Sequence, residues 1–255
     1  MDFVIKRKIR EIEICENIHI LHAVESGSRA WGFASPDSDY DVRFIYIRDR
    51  EYYLRLDKTR DVIEWQLDET LDINGWDLQK ALRLLHKSNP TLFEWASSPI
   101  VYHTTQKWQT ISASFPDYFL SSPGLHHYLS MAEGDYREYL RGDTVRAKKY
   151  LFVLRPILAC KWILDKHTPP PMLFADLVVA EADADLAQEI EQLLEIKATV
   201  PETEEIPKIE PLNRFIEITL PLLKTQAESL PNAKAKGYEE LNRLFIGALF
   251  DDYPT

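Results

Sequence analysis

The hydrophobic period of this chain changes near residue 104, and the change restricts the folds that it can adopt. Before that point, short runs of β-branched and aromatic residues alternate with helical stretches, as is typical of a mixed α/β domain. The predicted strands are 18–25, 40–47, 62–67, 69–74 and a short one after Pro99. From Gly75 the spacing becomes helical, and we predict a helix over 77–87.

Beyond residue 104 apolar residues recur at helical spacing, and prolines separate the segments. The predicted helices are 104–114, 123–141, 144–166, 183–197, 211–230 and 237–250. A further amphipathic helix is predicted at the N-terminus. The fold class is therefore α+β, with a mixed-sheet domain over residues 1–110 followed by a helical domain over 111–255.

Composition excludes several classes of protein. The net charge of −11 argues against a broad grip on duplex nucleic acid, which needs many phosphate contacts. No run of about 18 apolar residues is free of charge, so no membrane span is expected. The two cysteines, Cys15 and Cys160, are far apart and flanked by apolar residues. We interpret them as buried free thiols of a cytoplasmic protein.

The segment from residue 25 to residue 44 combines a glycine turn with paired carboxylates. A predicted strand ends at Gly27-Ser28, where a glycine lets backbone N–H groups approach a phosphate and the Ser28 hydroxyl adds a donor. Asp39 and Asp41 then stand two residues apart at the start of the next strand, so their carboxylates share one face. Such a pair suits Mg²⁺ or Mn²⁺ together with substrate phosphates. The alternative for Asp39 is a turn residue in SPDSD.

Three sequence blocks resemble one known family. They are GSRAWGFASPDSDYDVRFIY at 27–46, LDINGWDLQKALRLLHKSNPTLFEWASSPIVY at 71–102, and KKYLFVLRP at 148–156. Gly27-Ser28, ten further residues, and then Asp39-Tyr40-Asp41 are similar to the signature of polymerase-β-type nucleotidyltransferases. Together the blocks resemble the predicted nucleotidyltransferases associated with RNA ligases. The resemblance implies a nucleoside triphosphate donor, a divalent metal, and a mixed sheet with a helical domain; it implies no settled acceptor.

Members of that superfamily usually supply a third carboxylate from a neighbouring strand. Asp72, between Leu71 and Ile73, fits best and is predicted as the third metal ligand and catalytic carboxylate. Asp77 is a second candidate, with helix capping as its other explanation. Glu64 is the third candidate.

Several basic residues are predicted to contact the triphosphate. Arg43 continues the alternation of Asp39 and Asp41, so it projects beside them, either to orient them or bind phosphate; a simple charge pair is the alternative. Arg29 directly follows Ser28, and Lys80 lies on a basic helix stripe; both are otherwise ordinary surface cations.

In the helical domain, Lys148 and Arg155 are seven residues apart on a largely apolar helix. Basic residues in such a place need a partner. We predict a nucleotide triphosphate between the two domains as that partner, with intramolecular carboxylates as the alternative.

The leading functional hypothesis is a Mg²⁺-dependent enzyme that moves a nucleoside monophosphate from a nucleoside triphosphate to a hydroxyl and releases pyrophosphate. The acceptor is an RNA end, a protein side chain or a small molecule. The alternative is a non-catalytic nucleotide-binding or interaction module with the same fold. Neither a zinc-hydrolase nor a serine-hydrolase motif occurs in the sequence.

Overall fold

The computed structural model describes residues 1–57, 59–68, 70–201, 203–231 and 235–250, and the backbone alone for 66–68. Glu69, which belongs to the predicted strand 69–74, lies outside the described residues. The chain forms two compact units that do not follow each other simply in sequence. The first comprises Met1–Ala30, Asp39–Tyr118 and the chain from Ala235 onward; the second comprises Trp31–Ser38 and Phe119–Lys234.

The first unit is built on a five-stranded mixed sheet in the order β3-β4-β2-β1-β5. Strands β2 and β4 pair in parallel and all other neighbours are antiparallel. The strands are β1 (His19–Glu25), β2 (Tyr40–Ile47), β3 (Val62–Asp68), β4 (Leu71–Asp77) and β5 (Val101–Thr104). The helices are α1 (Asp2–Glu16), α2 (Gly27–Trp31), α3 (Arg50–Tyr53), α4 (Leu78–His86), α5 (Pro90–Ser97), α6 (Gln106–Ser112), a 3-10 turn (Phe115–Tyr118) and, late in the chain, α12 (Glu239–Phe250).

Helix α1 covers one face of this sheet. Ile5, Ile9 and Ile12 recur at helical spacing and are buried against strand residues. Asn17 ends the helix in the left-handed conformation, and β1 begins two residues later. Because this connection is so short, α1 runs antiparallel to β1 and its first turn lies at the end of the sheet where β1 finishes.

The centre of the sheet requires a glycine on β4. Gly75 is the register partner of Phe44 on β2, and a Cβ at Gly75 would lie 2.1 Å from the Phe44 ring. The strand continues to Asp77, which caps α4 by accepting a hydrogen bond of 2.7 Å from the Gln79 N–H. The helix predicted over 77–87 is α4, which begins at Leu78. Gly75 and Trp76, where the helical spacing was predicted to begin, are still strand residues paired with two neighbouring strands.

The second unit is a helical assembly packed around α8 (Ala147–Lys166), a mostly buried helix. The helices around it are α7 (Ser121–Tyr139), α9 (Phe174–Glu181), α10 (Ala184–Thr199) and α11 (Glu210–Ser229). Strand β6 (Thr144–Arg146), directly before α8, pairs with β7 (Glu205–Pro207), which lies between α10 and α11. The helix predicted from residue 144 was thus wrong at its start, where β-branched Thr144 and Val145 pair with the later segment.

The α+β class predicted from the sequence is confirmed. Residue 110, where the domain boundary was placed, lies in α6 of the first unit, and α12 also belongs to that unit. Cys160 is buried as expected, but Cys15 is exposed on α1, because it lies outside the Ile5, Ile9 and Ile12 face. Among the described residues, no helix is both long and apolar enough to cross a membrane.

Candidate active site

The turn between β1 and α2 brings the backbone of Gly27 against a carboxylate. Gly27 has a φ of +59°, and a Cβ there would lie 2.1 Å from Asp41 Oδ2. Both the left-handed backbone and the close approach therefore require glycine. The neighbouring Ser26 N–H donates to the Asp41 carbonyl at 2.8 Å, which fixes the turn beside β2. Ser28 follows in the first turn of α2 and is half-buried.

Asp41 and Asp72 lie side by side on the two parallel strands. They are register partners in the β2–β4 pairing. Arg43, two residues along β2, joins them: its Nη2 lies 3.0 Å from Asp41 Oδ1 and 2.8 Å from Asp72 Oδ2. Its Nη1 donates to the carbonyl oxygens of Val42 and Asp72. The Arg43 side chain is 17% exposed, so a well-fixed cation sits between two carboxylates.

The electrostatics at Asp41 reflect this crowding. Burial is the main cause that raises the pKa of the Asp41 carboxyl; Arg43 opposes the rise, and Asp72 and Asp39 add to it. Asp39 itself is exposed at the entry to β2. Within the described ranges, no three His, Cys, Asp or Glu side chains are grouped so that they could hold a metal ion. The metal ligands Asp39, Asp41 and Asp72 therefore remain a prediction, in which Asp41 and Asp72 are the pair that the fold brings together.

Arg29 contacts the residues that lead into β2 next to these aspartates. Its Nε donates to the Asp39 carbonyl at 3.0 Å, and its guanidinium lies 3.7 Å from the centre of the Tyr40 ring. Arg29 thus connects α2 with the residues that lead into β2. Its predicted contact with phosphate is untested by this geometry.

Glu25, which the sequence reasoning passed over, is a buried carboxylate at the centre of the site. Its Oε1 accepts a hydrogen bond of 2.8 Å from the Asp41 N–H, and its Oε2 accepts one from the Tyr102 hydroxyl. Burial raises the pKa of the Glu25 carboxyl, and these two hydrogen bonds oppose the rise. The available signal was an acidic residue at the end of an apolar strand, directly before Ser26-Gly27, where a charge is costly without partners.

The other predicted carboxylates lie elsewhere. Asp77 pairs with Tyr46 in the register, at the opposite end of the sheet from Asp41; it caps α4 and accepts from the Tyr53 hydroxyl at 2.7 Å. Glu64 is exposed on β3 and ion-paired with Arg60 at 3.2 Å. Of the three candidates, only Asp72 shares the ion pair with the Asp41 side chain.

Lys80 also lies at the far end of the sheet. It is the third residue of α4, and its Nζ is 3.2 Å from Asp61 Oδ1. Asp61 in turn accepts a backbone hydrogen bond from Asp77. The structure therefore does not bring Lys80 to the Asp41 end, and its ordinary role is an ion pair near the start of β3.

Lys148 and Arg155 belong to the second unit. Lys148 is half-buried in the first turn of α8. Arg155 is 2% exposed; its guanidinium lies 4.5 Å from the centre of the Trp31 ring, and its Nη2 is 3.4 Å from the Met172 carbonyl. Trp31 packs there with Phe152. The predicted contacts of Lys148 and Arg155 with a triphosphate stay predictions.

The chain was compared with protein families, with individual proteins and with solved structures. A family model described as "RlaP: RNA repair pathway DNA polymerase beta family" matches residues 1–247. The chain is 42% identical over 247 residues to the uncharacterized protein YcgL of Bacillus subtilis (strain 168), covering 95% of this chain and 94% of that protein. A solved nucleotidyltransferase-like protein from Exiguobacterium sibiricum 255-15 aligns over 88% of this chain and 75% of its own, with a TM-score of 0.32 and 16% identity. The family match spans both compact units.

Proposed function

We propose that this chain, which belongs to the RNA repair pathway DNA polymerase beta family, is a Mg²⁺-dependent nucleotidyltransferase. It would move a nucleoside monophosphate from a nucleoside triphosphate to a hydroxyl acceptor and release pyrophosphate. The observation that carries the proposal is the placement of Asp41 and Asp72 as partners on parallel strands, next to the backbone of Gly27.

The residues present fit magnesium. Mg²⁺ is usually held by one or two carboxylates, with water and substrate phosphates completing its shell. Asp41 and Asp72 supply two such carboxylates, already converging on one cation, Arg43. Asp39, exposed and close enough to raise the pKa of Asp41, is the third predicted ligand. When bound, magnesium would neutralise phosphate charge at the attacking and leaving oxygens.

The roles of the protein groups follow from their positions. The missing Cβ of Gly27 lets Asp41 Oδ2 lie against the turn, and the Ser28 hydroxyl would donate a hydrogen bond to a phosphate bound there. The acceptor hydroxyl attacks the α-phosphorus, a new P–O bond forms, and the bond to the β-phosphate oxygen breaks as pyrophosphate leaves. The hydroxyl proton passes to a carboxylate oxygen of Asp72. Arg43 contacts phosphate oxygens once it is released from the two aspartates.

The acceptor class rests on the family description, which places its members in RNA repair. An RNA end therefore ranks ahead of a protein side chain or a small molecule. A second candidate function is a non-catalytic nucleotide-binding module. It is favoured by the Arg43 ion pairs, which occupy the same carboxylates that a metal needs.

The test is incubation with each α-³²P-labelled nucleoside triphosphate, Mg²⁺ and cell extract, followed by nuclease or protease treatment. We expect nuclease-sensitive label with the wild type and with the control Asp176→Asn, an exposed aspartate of α9, and none with Asp41→Asn. Calorimetry of Mg²⁺-assisted nucleotide binding separates the remaining outcomes. Binding that survives in the double variant Asp41→Asn/Asp72→Asn contradicts the site. Binding that needs Asp41, without any labelled product, supports the non-catalytic module.

A further inference from the structure

We propose that the exposed face of α1 is the surface on which a single-stranded RNA acceptor lies, a proposal that rests on the proposed function. Four residues define this α1 face: Phe3, Arg7, Arg10 and Ile14. At 100° per residue they fall within about 60° of one another around the helix. They lie opposite Ile5, Ile9 and Ile12, the face that is buried against the sheet.

The N-terminal part of this helix is basic, whereas the chain as a whole is acidic; over all of Asp2–Glu16 four acidic residues balance the four basic ones. The first ten residues contain four basic residues and one acidic residue, whereas the chain carries a net charge of −11. Lys6 is ion-paired with Asp2, and Lys8 with Glu11. In the part of the chain that the structure describes, Arg7 and Arg10 have no ion-pair partner, and both are exposed. Two guanidinium groups without an ion pair, on one face of the helix, can bind phosphate oxygens.

The same face carries an exposed aromatic ring. Phe3 is 76% exposed, although burial of such a ring is normally favourable. Stacking of unpaired bases on aromatic side chains, next to backbone phosphates held by cations, is the common pattern of single-strand binding. Phe3 with Arg7 and Arg10 reproduces this pattern over two turns.

The position of α1 connects this face to the candidate active site. Asp2, in the first turn, is close enough for its charge to raise the pKa of Tyr102. The Tyr102 hydroxyl donates to Glu25, and Glu25 accepts from the Asp41 N–H. The α1 face therefore begins at the end of the sheet that holds Asp41 and extends away from it. A strand lying along the face would bring its terminal hydroxyl towards the carboxylates.

A membrane surface is the other partner that a basic helix with exposed apolar residues fits. The geometry disfavours it. Phe3 and Ile14 are eleven residues apart, or about 16 Å, with the two arginines between them. The continuous apolar face of α1, Ile5, Ile9 and Ile12, is already buried in the sheet core. An interfacial helix needs such a face to be available.

The test measures binding of a short, 5′-fluorescein-labelled single-stranded RNA by fluorescence anisotropy, in EDTA and without nucleotide. The variant Arg7→Ala/Arg10→Ala is compared with Lys224→Ala/Arg243→Ala, which removes two exposed cations from α11 and α12. We expect binding about tenfold weaker for the α1 variant alone. The slope of log K against log salt, between about 50 and 200 mM, should fall by about 1.4, or about 0.7 for each lost phosphate contact. Phe3→Ala should weaken binding several-fold without changing that slope.

Each remaining outcome contradicts the proposal. It fails if the wild type binds no RNA, if both double variants weaken binding equally, or if Arg7→Ala/Arg10→Ala binds like the wild type. Binding to phosphatidylserine vesicles in place of RNA identifies a membrane helix instead. Because metal and nucleotide are absent, these results are independent of Asp41, and nucleotide binding by Arg7→Ala/Arg10→Ala should match the wild type. A failure of the proposed function would instead appear as unlabelled RNA with intact RNA binding.

Discussion

Asp41 and Asp72 stand level with each other on parallel strands β2 and β4, and a single guanidinium, that of Arg43, is within 3.0 Å of an oxygen of each. Two like charges on neighbouring strands repel unless a cation lies between them. Arg43 supplies this cation from within the fold. A divalent metal at the same carboxylates would therefore compete with Arg43.

Replacement of Arg43 by methionine should expose this competition. Without the guanidinium, the two carboxylates lack their cation, so we expect the free energy of unfolding in EDTA to fall by about 1 kcal/mol, a value that allows for their partial exposure. Added Mg²⁺ should restore more stability to Arg43→Met than it adds to the wild type. Urea denaturation with and without Mg²⁺ measures both effects. Arg60→Met removes the exposed ion pair with Glu64. This control should change neither the free energy of unfolding in EDTA nor the stability gained with Mg²⁺ by more than about 0.5 kcal/mol. An equal response to Mg²⁺ in all three proteins would contradict the prediction.

Glu25 is expected to be more sensitive to truncation than to loss of charge. Glu25→Ala leaves the Asp41 N–H and the Tyr102 hydroxyl without their acceptor, which should cost about 2–4 kcal/mol in urea denaturation. Glu25→Gln keeps an acceptor for the Asp41 N–H, so its cost should be about 1 kcal/mol or less. Tyr102→Phe, the control for loss of one hydroxyl, should fall between them. Equal destabilisation by Ala and Gln would show that the charge matters more than the hydrogen bonds.

The raised pKa of Glu25 adds a pH dependence with a definite sign. Because the folded protein holds the proton more tightly than the unfolded chain, ionisation of Glu25 costs stability. The wild type should therefore lose stability relative to Glu25→Gln as the pH rises from about 4.5 through the raised pKa. Urea midpoints of the two proteins across this range measure the difference. A difference that is constant with pH would contradict the assigned shift.

Gly27→Ala should damage both stability and nucleotide binding. The new Cβ would meet Asp41 Oδ2 at 2.1 Å, and the φ of +59° is unfavourable for alanine. We expect a loss of about 1–2 kcal/mol in urea denaturation and weaker Mg²⁺-assisted nucleotide binding by calorimetry. Gly134→Ala is the matched control: it lies within α7 with no atom within 4 Å of the added Cβ. That change should stabilise the protein by about 0.5–1 kcal/mol.

Much of the fold could be predicted because its signals are local. The runs of β-branched residues gave β1 and β2 nearly to the residue, and the family predicted from the Gly-Ser and Asp-x-Asp blocks is confirmed. Strand pairings between segments that are distant in sequence could not be predicted from such local signals. The β6–β7 pair joins residues about sixty apart, and nothing near Thr144 indicates its partner.

In the candidate site, too, relations within one strand could be predicted, whereas contacts between distant segments depend on packing. Alternation along β2 correctly put Arg43 beside Asp41, since that relation is a property of one strand. Which carboxylate stands next to Asp41 depends on the register between β2 and β4, and this register comes from packing contacts such as Phe44 against Gly75. Glu25 was missed because its partner Tyr102 is 77 residues away.

His22 provides a further pH-dependent relationship, away from the carboxylates. The imidazole is buried, stacks on Trp108 at 4.8 Å, and lies within hydrogen-bond distance of Thr104 Oγ1 and the Trp95 carbonyl. Burial lowers the pKa of His22 from 6.5 to about 4, although the bond to Trp95 opposes this change. The folded protein therefore keeps His22 neutral over a range in which the unfolded chain takes up a proton.

The free energy of unfolding should accordingly decrease as the pH is lowered from about 6.5 to about 4. Below that range His22 should cause no further loss, since it is then protonated in both the folded and the unfolded protein. A shift of this size corresponds to at most about 3 kcal/mol. His22→Phe keeps a ring against Trp108 but cannot titrate, so its free energy of unfolding should decline less than that of the wild type when urea denaturation is measured from pH 7 to pH 4. His126→Phe, a change at an exposed histidine of α7, should follow the wild-type decline. Parallel curves for wild type and His22→Phe would mean that His22 is protonated in the folded protein at the same pH as in the unfolded chain, and that its burial carries no electrostatic cost.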